Sequence, residues 1–400
     1  MKIKSVFALL SVCLAASTHA GGLIVHEWGT FTSFQGGDGA LVAWMPLRTS
    51  RLPKFVYDWQ KPGIDLRFIS AAGIPTKFVL MALQRLETPV VYFYSDEART
   101  IDLTVNFPHG TITEWYPRAD PVVHGSIASI IQWNDIEVRP DADQGGSVSH
   151  PATSADRYFT ARETDSDYVK TTNETEKFLF YRGLGNFKTP LRVSMKDDFS
   201  VVLANTGAET ISQLFVFQLD GKAGNFITVA GLKPGEERTV PVPRLQKRWF
   251  VPQDLSKHIG EAMSRSLAQS GLYPREATAM VNTWKDSWFA EQGLRVFYLL
   301  PRAWTDGALP MTLKPAPKDL VRVMVGRAEI FTPGLEQSVV QQLQSANLGD
   351  NGVRTRIRDL LTPLGRFAQP ALWRAVDAAK LKPEAQARLA GLLPGIQSFE

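Results

Sequence analysis

Between Ile101 and Phe107 the apolar residues Ile101, Leu103, Val105 and Phe107 alternate strictly with Asp102, Thr104 and Asn106. A period of two fits a strand with one face on a core and the other in water, and it does not fit a helix over the same span. Just upstream, Val90-Val91-Tyr92-Phe93-Tyr94 is unbroken apolar and aromatic sequence, as in a strand covered on both faces. Pro108-His109-Gly110 reads as a turn and Thr111–Tyr116 as a β-branched and aromatic strand. The stretch Leu86–Pro117 therefore predicts a three-stranded meander that carries two carboxylates, Glu87 and Glu114, among its aromatics.

Strand patterns dominate the first 250 residues. Residues 23–34, LIVHEWGTFTSF, read as the opening strand, and Ile127–Val138 as a later strand pair. Residues 21–140 are thus expected to form an N-terminal β-sandwich. Residues 141–175 are polar and rich in Gly, Ser, Thr and Asp, which predicts a long polar loop or linker. Residues 176–250 hold six short strand candidates: Phe178–Arg182, Leu191–Met195, Val201–Ala204, Leu214–Leu219, Phe226–Val229 and Arg238–Val242. Turn sequences such as Asn205-Thr206-Gly207 and Lys233-Pro234-Gly235-Glu236 separate them. That rhythm predicts an immunoglobulin-like β-sandwich, without the Cys…Trp…Cys pattern of a true immunoglobulin domain.

The period then lengthens. Leu255, Ile259, Met263 and Leu267 recur every four residues after Asp254, a candidate cap, and Pro274 opens a second helix with Ala277, Val281, Trp284 and Trp288 on one stripe. Leu294–Leu300 and Leu320–Val325 return to strand, and further helical faces follow at Leu335/Val339/Leu343 and Val353/Ile357/Leu360. Residues 251–400 are expected to be helical and mixed α/β. The fold class that follows is mainly β, with two consecutive antiparallel β-sandwich (immunoglobulin-like) units and a mixed α/β and helical C-terminal region.

The beginning of the chain places it in a compartment. Lys2 and Lys4, the apolar run Val6–Ala16 and Thr18-His19-Ala20 match the three parts of a secretory signal peptide over residues 1–20. The apolar run is too short to cross a bilayer as a helix, and no later stretch reaches the roughly 18 apolar residues that would. Cys13 is the one cysteine and would leave with the leader, so the mature chain has no disulfide and no thiol chemistry. A formal net charge of +4 across 400 residues gives no electrostatic footprint for nucleic acid. The expected location is periplasmic or extracellular.

No familiar catalytic motif is complete. His26-Glu27 starts like a zinc-protease helix, but Thr30 stands where the second histidine belongs. Asp141-Ala142-Asp143 starts like a calcium loop, but Ala152 replaces its last ligand. No metal and no cofactor is expected. On a strand, His26, Trp28, Thr30 and Thr32 share one face and Val25, Glu27 and Phe31 the other; Ile112, Glu114 and Tyr116 likewise share a face. Glutamates set among apolar neighbours need a cationic partner, such as Arg182, or a raised pKa. A raised glutamate beside an ionised one is the arrangement of glycoside hydrolysis, so Glu27, Glu114 and Glu176 are the catalytic candidates. Tryptophan and tyrosine on a rigid β scaffold can stack on sugars or peptide side chains, so His26, Trp28, Trp115, Tyr116, Tyr181 and Arg182 are the ligand-binding candidates. The competing reading of the same aromatics is that they fill the core, and of the same acids that they form structural ion pairs.

His26-Glu27-Trp28-Gly29-Thr30-Phe31-Thr32-Ser33, Ile112-Thr113-Glu114-Trp115-Tyr116-Pro117 and Lys177-Phe178-Leu179-Phe180-Tyr181-Arg182-Gly183, with Leu86-Glu87-Thr88-Pro89-Val90, resemble the sequence blocks of an uncharacterised family of exported bacterial proteins. The resemblance implies export and a common fold, and it brings no activity, cofactor or catalytic residue. The leading functional expectation is an envelope protein that binds a glycan, peptide or protein partner through an aromatic-rich β surface. The alternatives are a glycan or peptide hydrolase using a glutamate pair, and a structural assembly protein.

Overall fold

The computed structural model describes residues 22–47, 52–58, 81–124, 129–140, 147–153, 156–247, 249–345, 348–389 and 392–393. The leader reading of residues 1–20 lies outside them, as does the calcium-like start at 141–146. The described strands are β1 (Ile24–Gly36), β2 (Leu41–Val42), β3 (Tyr57–Asp58), β4 (Gln84–Tyr94), β5 (Arg99–Phe107), β6 (Gly110–Tyr116), β7 (Asp120–His124), β8 (Ser129–Arg139), β9 (Tyr168–Lys170) and β10 (Thr175–Glu176). They continue as β11 (Leu179–Gly185), β12 (Leu191–Asp197), β13 (Ser200–Asn205), β14 (Ile211–Asp220), β15 (Ala223–Leu232), β16 (Glu237–Pro241), β17 (Gly293–Leu299), β18 (Met311–Lys314) and β19 (Asp319–Phe331). The described α-helices are α1 (Arg157–Thr160), α2 (Pro252–Gln269), α3 (Pro274–Lys285), α4 (Arg302–Ala308), α5 (Pro333–Gln344), α6 (Asn351–Leu361), α7 (Ala368–Ala379) and α8 (Pro383–Ala387).

The protein is mainly β, with several sheets and a helical C-terminal region. The largest sheet runs β15-β14-β17-β19-β1-β4-β11-β6-β3, with β2 beside β1. A second sheet runs β10-β9-β8-β5-β18, with β7 beside β8, and a third is β12-β13-β16. At the centre of the large sheet β1 pairs parallel with β19, from Ile24↔Asp319 to Gly36↔Phe331, and antiparallel with β4. Two strands nearly three hundred residues apart are therefore neighbours, and neither expected sandwich closes on itself. The six strands expected in 176–250 all exist, but β11, β14 and β15 belong to the large sheet and β12, β13 and β16 to the small one. The meander does not form either: β4 and β6 flank β11, while β5 pairs with β8 and β18. An alternating pattern decides which face is buried, and it leaves the choice of partner strand to the rest of the chain. Nor is 141–175 wholly a linker, since α1 lies within it and β9 pairs with β8 through Glu137↔Lys170 and Val138↔Val169.

One face of the large sheet packs against the two smaller sheets. Val25 and Phe31 of β1 meet Ile101, Leu103, Val105 and Phe107 of β5 there, with Val193, Leu203, Leu214 and Val216. Within the large sheet, Gly326 of β19 stands opposite Tyr298 of β17, whose ring lies over it and leaves no room for a side chain. The other face is covered by helices. Leu255, Ile259, Met263 and Leu267 of α2 and Ala277, Val281 and Trp284 of α3 pack on Trp28, Tyr92, Phe180, Phe217 and Phe297. The stripe read from the sequence is thus the buried one, although α2 starts at Pro252 rather than after Asp254. Farther along the same face, Phe34 and Phe331 meet α5, α6 and α7 through Val339, Leu343, Ile357, Leu372 and Val376. No described helix is long and apolar enough to cross a membrane.

Candidate functional site

Between the two helical covers, the large sheet carries a row of charged side chains where apolar ones would be expected. Thr30 of β1 stands opposite Glu87 of β4 and Val325 of β19. Thr32 stands opposite Arg85 and Arg327, Arg182 of β11 opposite Glu114 of β6, and Arg295 of β17 opposite Glu329 of β19. All of these polar side chains are buried. Two irregularities build the row. Thr88 takes a left-handed backbone angle, φ 46, and β4 shifts register there against both β1 and β11. A second shift between β11 and β6 at Thr113 sends Ile112 to the inter-sheet core and leaves Glu114 and Tyr116 toward the helices. The expected shared face of Ile112 with Glu114 and Tyr116 is therefore broken by a bulge.

Each acid of the row is held by arginine. Arg366, from the turn after α6, donates from Nη1 to Glu87 Oε1 at 2.8 Å, and Arg85 Nη1 lies 3.8 Å from the same oxygen. Burial alone would raise the pKa of Glu87, but Arg366 and then Arg85, Arg327 and Arg157 outweigh it and hold the carboxyl well below the usual range. Arg182 Nε donates to Glu114 Oε2 at 3.1 Å, and the Thr113 hydroxyl donates to that oxygen too. Glu329 is shared by Arg295 Nε at 3.0 Å and Arg327 Nη2 at 2.9 Å. Glu291 accepts from Arg327 Nη2 at 2.5 Å; burial pushes its pKa up, but the Arg327, Arg366 and Arg295 charges bring it down to about 2. Glu87 and Glu291, with their pKa values lowered, stay ionised at neutral pH and do not serve as general acids.

The helices close over the row from two sides. On one side Arg157 of α1, half-buried, lies with its guanidinium 5.3 Å from the ring centroid of Trp284 on α3. Its neighbour Tyr158 packs on Phe180 and Tyr116, each two residues along the strand from Arg182 and Glu114. On the other side Arg366 lies over Trp44 and Phe367, at 5.3 and 5.0 Å. Arg157 has no ion-pair partner among the described residues, although its charge is felt at Glu87. Arg182 Nη2, the Thr30, Thr32 and Thr283 hydroxyls and the Trp284 indole N–H are buried with no hydrogen-bond partner among the described residues. Buried donors are rarely left so. Thr30, Thr32 and Arg182 are on the helix-covered face of the sheet and Thr283 and Trp284 on α3, while Arg322 Nη2 and Trp115 Nε1 are left the same way on the opposite face.

The sequence candidates separate. Glu114 and Arg182 pair with each other within the row, and Glu87 lies beside them. Glu176 is nearby but fully occupied: Arg162 grips it with Nε at 2.8 Å and Nη2 at 2.6 Å, and Tyr158 OH donates at 3.1 Å. Glu27 points through the opposite face of the sheet, where Arg322 Nε donates at 2.6 Å and Tyr181 OH at 2.5 Å. Glu27 and Glu114 thus lie on opposite sides of a sheet and share no cleft. His26 sits at the far end of β1, its Nδ1 2.7 Å from Glu276, which also accepts from Tyr94 OH and from the backbone N–H of Tyr273. Trp28, Trp115, Tyr116 and Tyr181 are buried in the cores, so they offer no open aromatic surface. Their size and apolar bodies fill the interlayer space, the core reading of the same residues.

Arg85, Arg157, Arg295, Arg327 and Arg366 were not among the candidates. For Arg295 and Arg327 the signal was present as arginine at inward-facing positions of otherwise apolar strands, in Leu294-Arg295-Val296 and Val325-Gly326-Arg327-Ala328, whereas Arg366 lies in the turn after α6. Arg157 had no such signal, lying in the polar segment before a four-residue helix.

No family model matches the chain, and no curated protein matches it. Among solved structures, the yeast delta-COP-I mu-homology domain aligns with it, both alone and complexed with the Dsl1 WxWxV peptide. Each alignment covers 78% of this chain and 98% of that one at 7% identity, with a TM-score of 0.27. A superposition at that score shares too little geometry to bear on fold or partner.

Proposed function

We propose that this chain is an exported, non-catalytic binding protein whose ligand enters the polar seam between the helices and the large sheet. The observation that carries this reading is the group of buried donors without partners: Arg182 Nη2, the Thr30, Thr32 and Thr283 hydroxyls and Trp284 N–H. A site lined by fixed donors suits a polar ligand such as a glycan unit or a short peptide. The pinned glutamates argue against acid–base chemistry in the same place. Export rests on the leader-like residues 1–20 and on a sequence whose only cysteine lies within them.

The test is a thermal-shift and calorimetric screen of the mature chain against neutral and acidic glycans and short peptides, with Glu114→Gln beside the wild type. Binding without turnover in both is expected. Hydrolysis by the wild type that is lost in Glu114→Gln with binding retained would replace this reading with the hydrolase. Cell fractionation with sequencing of the mature N-terminus checks export, with a start after Ala20 expected.

A further inference from the structure

We propose that the seam is built for a carboxylate, held between Arg157 at its rim and Arg182 at its floor. The proposal rests on the seam being the binding site. Its physical basis is a difference between the arginines there. Arg295 and Arg327 are satisfied by carboxylates and by the carbonyls of the turn after α3, with Arg295 reaching Trp288 O at 2.7 Å and Gln292 O at 2.6 Å. Arg182 spends its Nε on Glu114 and keeps a buried Nη2 unfilled among the described residues. Arg157 makes no ion pair there at all, and stacks on Trp284. Arg157 adjoins Tyr158, which packs on Phe180 of the strand that carries Arg182. One guanidinium without a counter-ion and one with an open N–H edge there call for a single negative charge with two acceptor oxygens.

The surroundings choose among anions. Glu87, held ionised by its arginines, lies in the same row, so a doubly charged phosphate would meet repulsion as well as a heavy desolvation cost. A carboxylate is planar, singly charged and accepts four hydrogen bonds, which matches two arginine edges plus the Thr30 and Thr283 hydroxyls. Two carriers share this chemistry, an acidic sugar of the uronate type and the C-terminus of a short peptide.

The experiment is calorimetry on the full mature chain with glucuronate, glucose, an N-acetylated dipeptide with a free C-terminus, its amide, and inorganic phosphate. Binding of glucuronate or of the free-acid dipeptide is expected, with the neutral counterpart of the one that binds at least about ten-fold weaker, and which of the two acids binds tells the carriers apart. Arg157→Gln should weaken that binding by about ten-fold or more and remove much of its salt dependence, while Arg157→Lys keeps part of both. Arg157 is half-buried at a helix start, so the variant should fold, and circular dichroism with a melting curve verifies it. Equal affinity for glucose and glucuronate, tighter phosphate than carboxylate, unchanged binding in Arg157→Gln, or no carboxylate binding at millimolar concentration would each overturn the carboxylate. Glucose bound in a manner sensitive to Thr283→Val but not to Arg157→Gln would leave the seam as a binding site while removing the anion. Turnover lost with Glu114→Gln would remove the binding reading itself.

Discussion

Glu27 and Glu87 lie on adjacent strands of one sheet, both buried and both paired with arginine, yet they sit in different kinds of place. Glu27 faces the inter-sheet core, where Arg322 also reaches Asp306 Oδ1 and Leu309 O at 2.8 Å, and Tyr181 closes the other carboxylate oxygen. Its environment is self-contained and apolar beyond that shell. Glu87 faces a continuous run of arginines and hydroxyls in which several donors have no partner among the described residues. A buried pair whose carboxylate oxygens are both filled serves the fold, although Arg322 Nη2 is itself without a partner among the described residues. A buried row with donors to spare points to something that comes and goes. Breaking the first should cost stability and spare ligands, and altering the second should do the reverse.

The largest expected effect is on the self-contained pair. Arg322→Met strips Glu27 of its cation inside an apolar core, and a charge stranded this way costs about 3–5 kcal/mol of stability. Chemical denaturation should show a much lower midpoint at unchanged slope, with ligand affinity in the surviving folded protein unaltered. Adding Glu27→Leu to the same chain removes the stranded charge and should recover most of the loss. Failure to recover would mean that Arg322 acts through Asp306 and Leu309 rather than through Glu27.

Next comes the acid limb of stability. The carboxyl of Glu87 titrates below its unfolded value of about 4.3. It therefore stabilises the fold fully above that pH and loses the contribution as pH falls through its depressed folded value. Glu291, brought down to about 2, acts in the same direction. Stability of the wild type should fall steeply from about pH 4 downward. Glu87→Gln should be less stable at neutral pH and show a shallower acid slope, measured by denaturant midpoints from pH 7 to pH 2.5. An unchanged slope would show that Arg366, Arg85 and Arg327 no longer surround this carboxyl in solution.

The contrast between the two glutamates also marks what could be read from sequence. The period-2 face of β1, with Val25, Glu27 and Phe31 on one side and His26 and Trp28 on the other, was legible because alternation is a local property of the strand. So were the buried stripes of α2, α3 and α5, and the positions of nearly every strand in 176–243. Partner choice was not legible. The parallel pairing of β1 with β19 depends on a crossover through most of the chain, and no residue near Ile24 encodes it. The bulges at Thr88 and Thr113 were hidden for another reason: neither the left-handed backbone of Thr88 nor the extra residue at Thr113 carries a composition cue, yet each bulge changes which residues face the helices. The fork of Arg182 on Glu114 was within reach because both lie in short, patterned strands. The Arg322 partner of Glu27 was not, since it comes from a strand almost three hundred residues away.

The smallest expected effect on stability is at Arg157. Its guanidinium is half-buried and its one described contact is the face of Trp284, an interaction of about 0.5–1 kcal/mol at such sites. Arg157→Gln should therefore shift the melting midpoint only slightly, and its loss of positive charge should move the acid limb of Glu87 a little toward higher pH, because one of the four cations that lower that carboxyl is gone. If instead Arg157→Gln destabilises the protein as strongly as Arg322→Met, Arg157 is a structural cation like Arg322, and the two faces of the sheet hold their glutamates for the same reason. A near-neutral melting shift paired with lost carboxylate affinity would place the sheet's structural charge on one face and its binding charge on the other.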